Sequence, residues 1–269
     1  MARVEKEAPA TQSGPMLPAP LRGVRAAFLF FTRIPVGGTL YRDTDWRWAA
    51  AHLPVVGIAL GSANAGVYAV ARPLGAHVAA TLAILASIVL TGALHEDGLA
   101  DSADALGSAM NRQRLLEILK DSRIGTYGAT AIAGSLLLRV LLVAELDRAW
   151  ALLLMAVAAR LGPVWLLASQ PYVSGAQGKG SAVVQAGILQ AVVATGWVIA
   201  VALTLDHMDL VDGMASAVAL GAVAAVTLLL GRWFRARVGG VTGDFLGATE
   251  QTSEVVILLT LLALVRLGR

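Results

Sequence analysis

The sequence predicts an all-α fold, a polytopic membrane bundle of six to seven transmembrane helices with short cytoplasmic interfacial helices. Three observations predict it. Hydrophobic residues fill 57% of the 269 positions and charged residues only 14%, with a mean hydropathy of +0.70, a balance outside that of soluble domains. The apolar residues fall into runs of about 20, the length a helix rising ~1.5 Å per residue needs to cross ~30 Å of hydrocarbon. Finally, 28 glycines among abundant Ala, Leu and Val suit helices that pack closely through small residues. Cysteine is absent, which excludes disulfides, thiol nucleophiles and cysteine metal sites. The formal charge of +3 is small, so its distribution carries more information than its size, and no nucleic-acid partner is expected.

Residues 1–20 are rich in Ala, Pro and charge and lack the apolar core of a signal peptide, so they are expected to form a disordered cytoplasmic tail. Residues 21–269 then form one membrane-embedded domain. The stretch LRGVRAAFLFFTRIP sets Arg22, Arg25 and Arg33 around an apolar run from Ala26 to Phe31, the pattern of an interfacial helix, stopped here by Pro35. Apolar runs follow at 49–71, 75–94, 126–144, 149–169, 182–205 and 213–231. A seventh, 255–265, is short and is expected either to span or to lie buried against the others.

Alternating spans sort the connections into two sets. The N-terminal region, 96–125, 170–181 and 232–254 hold 15 of the 21 Lys and Arg, whereas 72–74, 145–148 and 206–212 hold only Arg72 and Arg148. By the positive-inside rule the first set faces the cytoplasm. Every long, polar, glycine-bearing connection is therefore expected on that face.

Three stretches there carry chemistry. In HEDGLADSADALG, residues 95–107, Asp97, Asp101 and Asp104 fall within an arc of about 60° on a helix. Two carboxylates about 6 Å apart repel by roughly 3 kcal/mol at an effective dielectric of 20, so such a cluster protonates, splays into water or binds a cation. Oxygen donors favour Mg²⁺ or Mn²⁺, which share their coordination with water and phosphate and so point to phosphoryl chemistry. The alternative, helix caps at Asp97 and Asp101 with a solvated Asp104, stays open. In NRQRLLEILKDSRIGTYG, Leu115, Ile118 and Leu119 mark one face of a short amphipathic helix, and Lys120 and Arg123 are placed to meet phosphates. Gly125 and Gly128 let backbone amides approach an anion, and Asp121 is either a further metal ligand or a helix cap. The third stretch, Gly239 to Glu250, is entered by Arg232, Arg235 and Arg237 and reads as a glycine-rich loop able to wrap a ligand, with Asp244 inside it.

Two arginines fall inside spans. Arg139 is near enough to the outer end of its helix to snorkel, whereas Arg160, nearer mid-helix, is expected to face the bundle and a partner or anionic ligand. His52 and His95 lie at cytoplasmic ends of the first two spans, and His95 is a candidate proton acceptor.

Taken in order, FFTRIP, HEDGLADSADALG, LEILKDSRIGTYG and GGVTGDFLGATEQTSE resemble cobalamin synthase, the adenosylcobinamide-GDP ribazoletransferase family of integral membrane enzymes, from about Leu21 to the C-terminus. The resemblance implies completion of the vitamin B12 nucleotide loop. A ribose hydroxyl of α-ribazole, or of its 5′-phosphate, displaces GMP from adenosylcobinamide-GDP to give adenosylcobalamin or its 5′-phosphate, with Mg²⁺ as cofactor. The matching positions are His95, Asp97, Gly98, Asp101, Asp104, Asp121, Ser122, Arg123, Gly125, Gly243, Asp244, Gly247 and Glu254. Glu96 and Glu250 fall outside the pattern and are not assigned to the metal. On this reading Asp97, Asp101, Asp104, His95 and Arg123 are catalytic, and Asp97, Asp101, Asp104 and Asp121 hold the metal. Asp121, Ser122, Gly125, Arg160, Arg235, Gly243, Asp244, Gly247 and Glu254 contact substrate. The expected partners are the two substrates and the lipid bilayer of the cytoplasmic (inner) membrane, with room for other cobamide-assembly enzymes and a homo-oligomer. A CDP-alcohol-type membrane phosphotransferase and, in a different class, a cation-coupled transporter are the alternatives.

Overall fold

The computed structural model of the chain describes residues 17–37, 43–108, 111–121, 123–173 and 186–268. Most of the expected tail, Ser122 and the first residues of the 182–205 run lie outside these. Among the described residues twelve α-helices follow one another: α1 (Ala19–Phe31), α2 (Asp43–Ala51), α3 (Leu53–Ala71), α4 (Ala76–Thr91), α5 (Leu94–Ser108), α6 (Arg112–Ile118), α7 (Thr126–Leu146), α8 (Ala149–Ala159), α9 (Leu161–Ser169), α10 (Ile188–His207), α11 (Gly213–Val238) and α12 (Gly243–Arg266). Among the described residues six stretches are long and apolar enough to cross a membrane, Leu53–Leu74, Thr126–Leu146, Ala149–Ser169, Ile188–His207, Gly213–Val238 and Gly243–Arg266, and a seventh if the bent pair α4 and α5 is taken together.

Two expected spans come out differently. The run 75–94 does not continue as one straight helix, because Gly92 and Ala93 take left-handed backbone angles, φ 68° and 60°. Their amides close the end of α4, with Ala93 N–H donating to Ile88 O at 3.0 Å, the usual way a left-handed pair terminates a helix. The chain leaves at 90° as α5. Arg33 of the FFTRIP stretch lies over this bend, since a Cβ on Gly92 would come within 2.2 Å of its Nε. The last span, in contrast, is longer than its apolar core suggested. It begins at Gly243 and runs 24 residues, because its polar first half is buried against other helices rather than lipid.

Backbones pack closely where glycines allow it. On α3 a Cβ at Gly57 would lie 2.5 Å from Ala156 O, and one at Gly61 2.8 Å from Leu153 Cα, so α3 and α8 touch main chain to main chain. Leu152, Leu154, Met155, Val157, Ile257 and Leu258 fill the middle of the bundle. The fourth span is broken at Arg160 between α8 and α9, where Pro163 lacks the amide that would bond the Ala159 carbonyl one turn earlier. The interfacial helix α1 ends at Phe31, ahead of Pro35, with Thr32 in extended conformation. It buries Gly23, Ala26 and Ala27, and Gly23 sits so close to Trp48 of α2 that a Cβ would be 2.4 Å from the Trp48 Cβ.

Chain alternation divides the bundle into two ends. At one, Tyr68 and Arg72 of the α3 end both bind Asp147 after α7, the tyrosine at 2.7 Å, and Arg266 of α12 pairs with Glu145 at 2.5 Å. The other end carries α5, α6, the start of α7 and the turn between α11 and α12.

Candidate active site

The site-bearing end is organised by a crossing of two glycines. A Cβ on Gly98 of α5 would lie 2.8 Å from Asp244 O, and one on Gly247 of α12 would lie 3.2 Å from Gly98 Cα and from His95 O. With no side chain on either, α5 lies directly on the first turn of α12. That contact brings Asp97 and Asp101 beside Asp244. The face of α5 also rolls from solvent into the bundle: Asp97 is exposed, Asp101 half-buried and Asp104 buried.

Charge accumulates at this crossing without an opposite charge to offset it. Burial, followed by the neighbouring carboxylates of Asp97, Asp244 and Asp104, pushes Asp101 up to about 7. Neither Asp97, Asp101 nor Asp244 has an ion pair among the described residues. Like charges held together this way are stabilised by a bound cation. Among the described residues no three Asp, Glu or His side chains converge tightly enough to hold a metal unaided, so a cation here would take part of its coordination from water and ligand.

Asp104, expected to share the metal with Asp97 and Asp101, is turned toward the start of α7. Its two oxygens accept the backbone N–H groups of Gly125, at 2.7 Å, and Gly128, at 2.9 Å, and so cap the start of α7 from another helix. The two glycines admit an anion as expected, but the anion is the protein's own carboxylate. A Cβ on either would fall 2.4 Å from an Asp104 oxygen. The glycine-rich loop is likewise shorter than expected. Only Gly239 to Thr242 form the turn, and Thr242 Oγ1 caps α12 by accepting the Phe245 N–H at 3.3 Å. Gly243, Asp244 and Gly247 are already helical.

Beneath the crossing lies a buried ionic network that the sequence reading missed. Arg139, 1% exposed, donates to Glu254 at 2.7 Å and to Glu96 at 3.2 Å. It is paired inside the bundle and does not snorkel. Arg160, also 1% exposed, meets Glu250 at 3.3 Å. His95 is turned inward as well, with Nδ1 3.7 Å from Glu250 and its ring stacked on Phe31 at 6.4 Å. Glu254 and Arg160, expected to contact substrate, are each engaged in one of these buried pairs between helices. Adjacent residues of α5 divide the work: Glu96 points in to Arg139, and Asp97 points out. The signal was present in the sequence, because an arginine within an apolar run needs a buried acid, and Glu250 and Glu254 stand four apart on the last helix.

Asp121 and Arg123 bind each other rather than the aspartate crossing. Arg123 Nη2 and Nε donate to the two Asp121 oxygens at 2.7 and 3.0 Å, which holds Asp121 down at about 2. Both lie toward solvent, and Ser122 between them is outside the described residues. Arg235 lies elsewhere again, on a cleft of about 620 Å³ that Arg112, Tyr172 and Arg237 also line. This cleft is joined to the site through the turn after α11. Val241 N–H donates to Pro171 O at 2.9 Å and Val173 N–H to Val241 O at 2.8 Å, the one β bridge among the described residues.

Comparison with known proteins places this geometry in a family. A model of the cobalamin-5-phosphate synthase family matches residues 23–262. A protein of Azorhizobium caulinodans named adenosylcobinamide-GDP ribazoletransferase is 38% identical over 258 residues, covering 91% of this chain and 97% of the relative. Relatives of the same name from Vibrio cholerae, 37% identical over 88% of this chain and 92% of the relative, and Desulforamulus reducens, 34% identical over 89% and 95%, agree. No solved structure matches the chain. With a family model spanning nearly all of the bundle and relatives matched almost end to end, the chain belongs to the cobalamin-5-phosphate synthase family.

Proposed function

We propose that this protein is an adenosylcobinamide-GDP ribazoletransferase, joining adenosylcobinamide-GDP to α-ribazole or its 5′-phosphate with release of GMP. The relatives' activity fits one observation above all: Asp97, Asp101 and Asp244 are brought together by the Gly98–Gly247 crossing with no cationic partner. A diphosphate brought to three carboxylates would be repelled unless a cation lay between them.

The donor set fits Mg²⁺. All donors are carboxylate oxygens, and two or three protein oxygens with the rest from water and phosphate is the usual Mg²⁺ arrangement. Asp97, Asp101 and Asp244 would hold it, and when bound it would neutralise diphosphate charge. Asp104 supports the site by fixing the start of α7. In the reaction a ribose hydroxyl oxygen bonds to the phosphorus that carries cobinamide. The bond from that phosphorus to the bridging oxygen breaks, and GMP departs with the oxygen. The hydroxyl proton passes to a carboxylate of the crossing. His95 is a poorer acceptor because its Nδ1 faces Glu250 inside the bundle. Most of the catalysis is positioning and electrostatics, which agrees with rigid helices holding the acids. The exposed Arg123 and Lys120, on the segment between α6 and α7, are placed to meet phosphate oxygens once substrate is bound. The positive-inside count puts this end in the cytoplasm.

The test is to incubate detergent-purified protein with adenosylcobinamide-GDP, α-ribazole and Mg²⁺ and to follow GMP release and cobamide formation. Asp97→Asn and Asp101→Asn are expected to lower turnover by about 10²-fold or more, the scale of losing charge stabilisation at a reacting phosphate. Near-normal turnover in folded Asp97→Asn protein would remove the metal assignment, and no cobamide from the wild type would remove the function.

A further inference from the structure

The cleft beside the α11–α12 turn has a composition that the aspartate crossing does not explain. Arg112, Arg235 and Arg237 line it together with Pro171, Tyr172 and Gly239, and no carboxylate is among its described lining residues. Arg112 is fixed there by its Nε, which donates to Val238 O at 2.8 Å, leaving the two terminal nitrogens of its fork for a ligand. The Arg235 carbonyl accepts the Gly239 N–H at 2.9 Å, but its guanidinium makes no hydrogen bond or ion pair among the described residues. The C-terminal end of α11 contributes only about half a negative charge, so the guanidiniums of Arg112 and Arg235 leave the local field positive. Planar guanidinium forks match phosphate oxygens in pairs. The cleft also adjoins the proposed site: Tyr172 lines it, and a Cβ on Gly243, next to Asp244, would lie 3.4 Å from the Tyr172 hydroxyl.

We infer that the Arg112–Arg235–Arg237 cleft binds a phosphate group, carried either by the acceptor nucleoside as its 5′-phosphate or by an anionic phospholipid headgroup. In the first case it is where this enzyme distinguishes phosphorylated from free α-ribazole. That part deepens the function proposed above and rests on it, whereas phosphate binding itself does not.

The test has a binding arm, a kinetic arm and a lipid arm. Equilibrium binding of α-ribazole 5′-phosphate and of α-ribazole to the purified full chain, without adenosylcobinamide-GDP, is measured for wild type, Arg235→Gln, Arg235→Lys and the Arg235→Gln/Arg237→Gln double variant. The ratio of kcat/KM for the two acceptors is measured in parallel. If the phosphate belongs to the nucleoside, wild type binds the phosphorylated form about tenfold or more tightly. The double variant then loses that preference in both binding and kinetics, Arg235→Lys keeps part of it, and Arg114→Gln, on the solvent side of α6, keeps all of it. If it belongs to a lipid, phosphatidylglycerol co-purifies with wild type from mixed phosphatidylcholine–phosphatidylglycerol nanodiscs, the double variant loses it, and the acceptor ratio does not move. A wild type with neither preference, or a double variant that retains both, overturns the inference. Phosphate binding without cobamide formation would count against the reaction alone, and cobamide formation without any phosphate preference against the cleft alone.

Discussion

At the residue scale the acids of this protein divide by whether they have a partner. Asp97, Asp101 and Asp244 have no cationic partner among the described residues and are the acids proposed to hold the metal, whereas Glu96, Glu250 and Glu254 are paired with Arg139 and Arg160 in the interior. Removing one side of a buried pair leaves the other uncompensated, at about 3–5 kcal/mol. Arg139→Met is therefore expected to lower thermal stability in detergent by about that amount, and Glu254→Gln by less, because the amide still accepts the Arg139 N–H. His52 allows a pH test. Its Nε2 lies 2.9 Å from Pro20 O, and the Trp197 indole N–H donates to its Nδ1 at 3.2 Å, so the ring is neutral with its proton on Nε2. Burial holds it below its ordinary value of 6.5. The unfolded chain then binds the proton more readily than the folded one. Stability is full above 6.5 and is lost as pH falls from there through the lower folded value. Asp101, pushed up to about 7, contributes with the opposite sign but equally in both proteins, so the measurement is the difference in melting temperature between wild type and His52→Gln, which should shift against wild type as pH falls from 7.5 to 5.

At the element scale the site depends on how closely two helices approach. Gly98→Ala would place a methyl 2.8 Å from Asp244 O, and such overpacking costs about 1–3 kcal/mol while pushing α5 off α12. Turnover should fall with stability, and the loss of turnover should be larger than that of fully folded protein. Gly221→Ala on α11, where a Cβ meets nothing within 4 Å, should match or exceed wild type in stability, by up to about 1 kcal/mol from helix propensity. Equal effects of the two changes, read by melting and by GMP release, would argue against the crossing as the organising contact. The spacing of 97, 101 and 104 was enough to place three acids on one face of a helix. It could not show that this face turns into the bundle, so that Asp104 reaches the amides of Gly125 and Gly128.

At the scale of the whole molecule the bundle has one end tied by ion pairs and another that carries chemistry. Tyr68, Arg72 and Asp147, with Arg266 and Glu145, clamp α3, α7 and α12 at the first. The bend at Gly92 and Ala93 then lays α5 across the second. The orientation proposed from the charge bias of the connections has the second end facing the cytoplasm. Because the chain has no cysteine, single reporters test this cleanly. In spheroplasts a membrane-impermeant maleimide should label His77→Cys, at the clamped end, and should reach Lys120→Cys only after the membrane is opened. The reverse pattern would invert the orientation.

Apolar run length and composition by themselves determined that the chain is a helical membrane bundle, and four short motifs pointed to its family and to the acids worth testing. Both are local properties: a span is a matter of twenty consecutive residues, and a motif of spacing within a turn or two. Which acid meets which base was decided only by tertiary structure. Glu96, Arg139 and Glu254 lie 43 and 115 residues apart, and nothing in their own neighbourhoods records the pairing. The 90° bend and the glycine crossing are of the same kind. A left-handed Gly-Ala pair ends a helix locally, but only the packing of α5 on α12 turns that ending into a site.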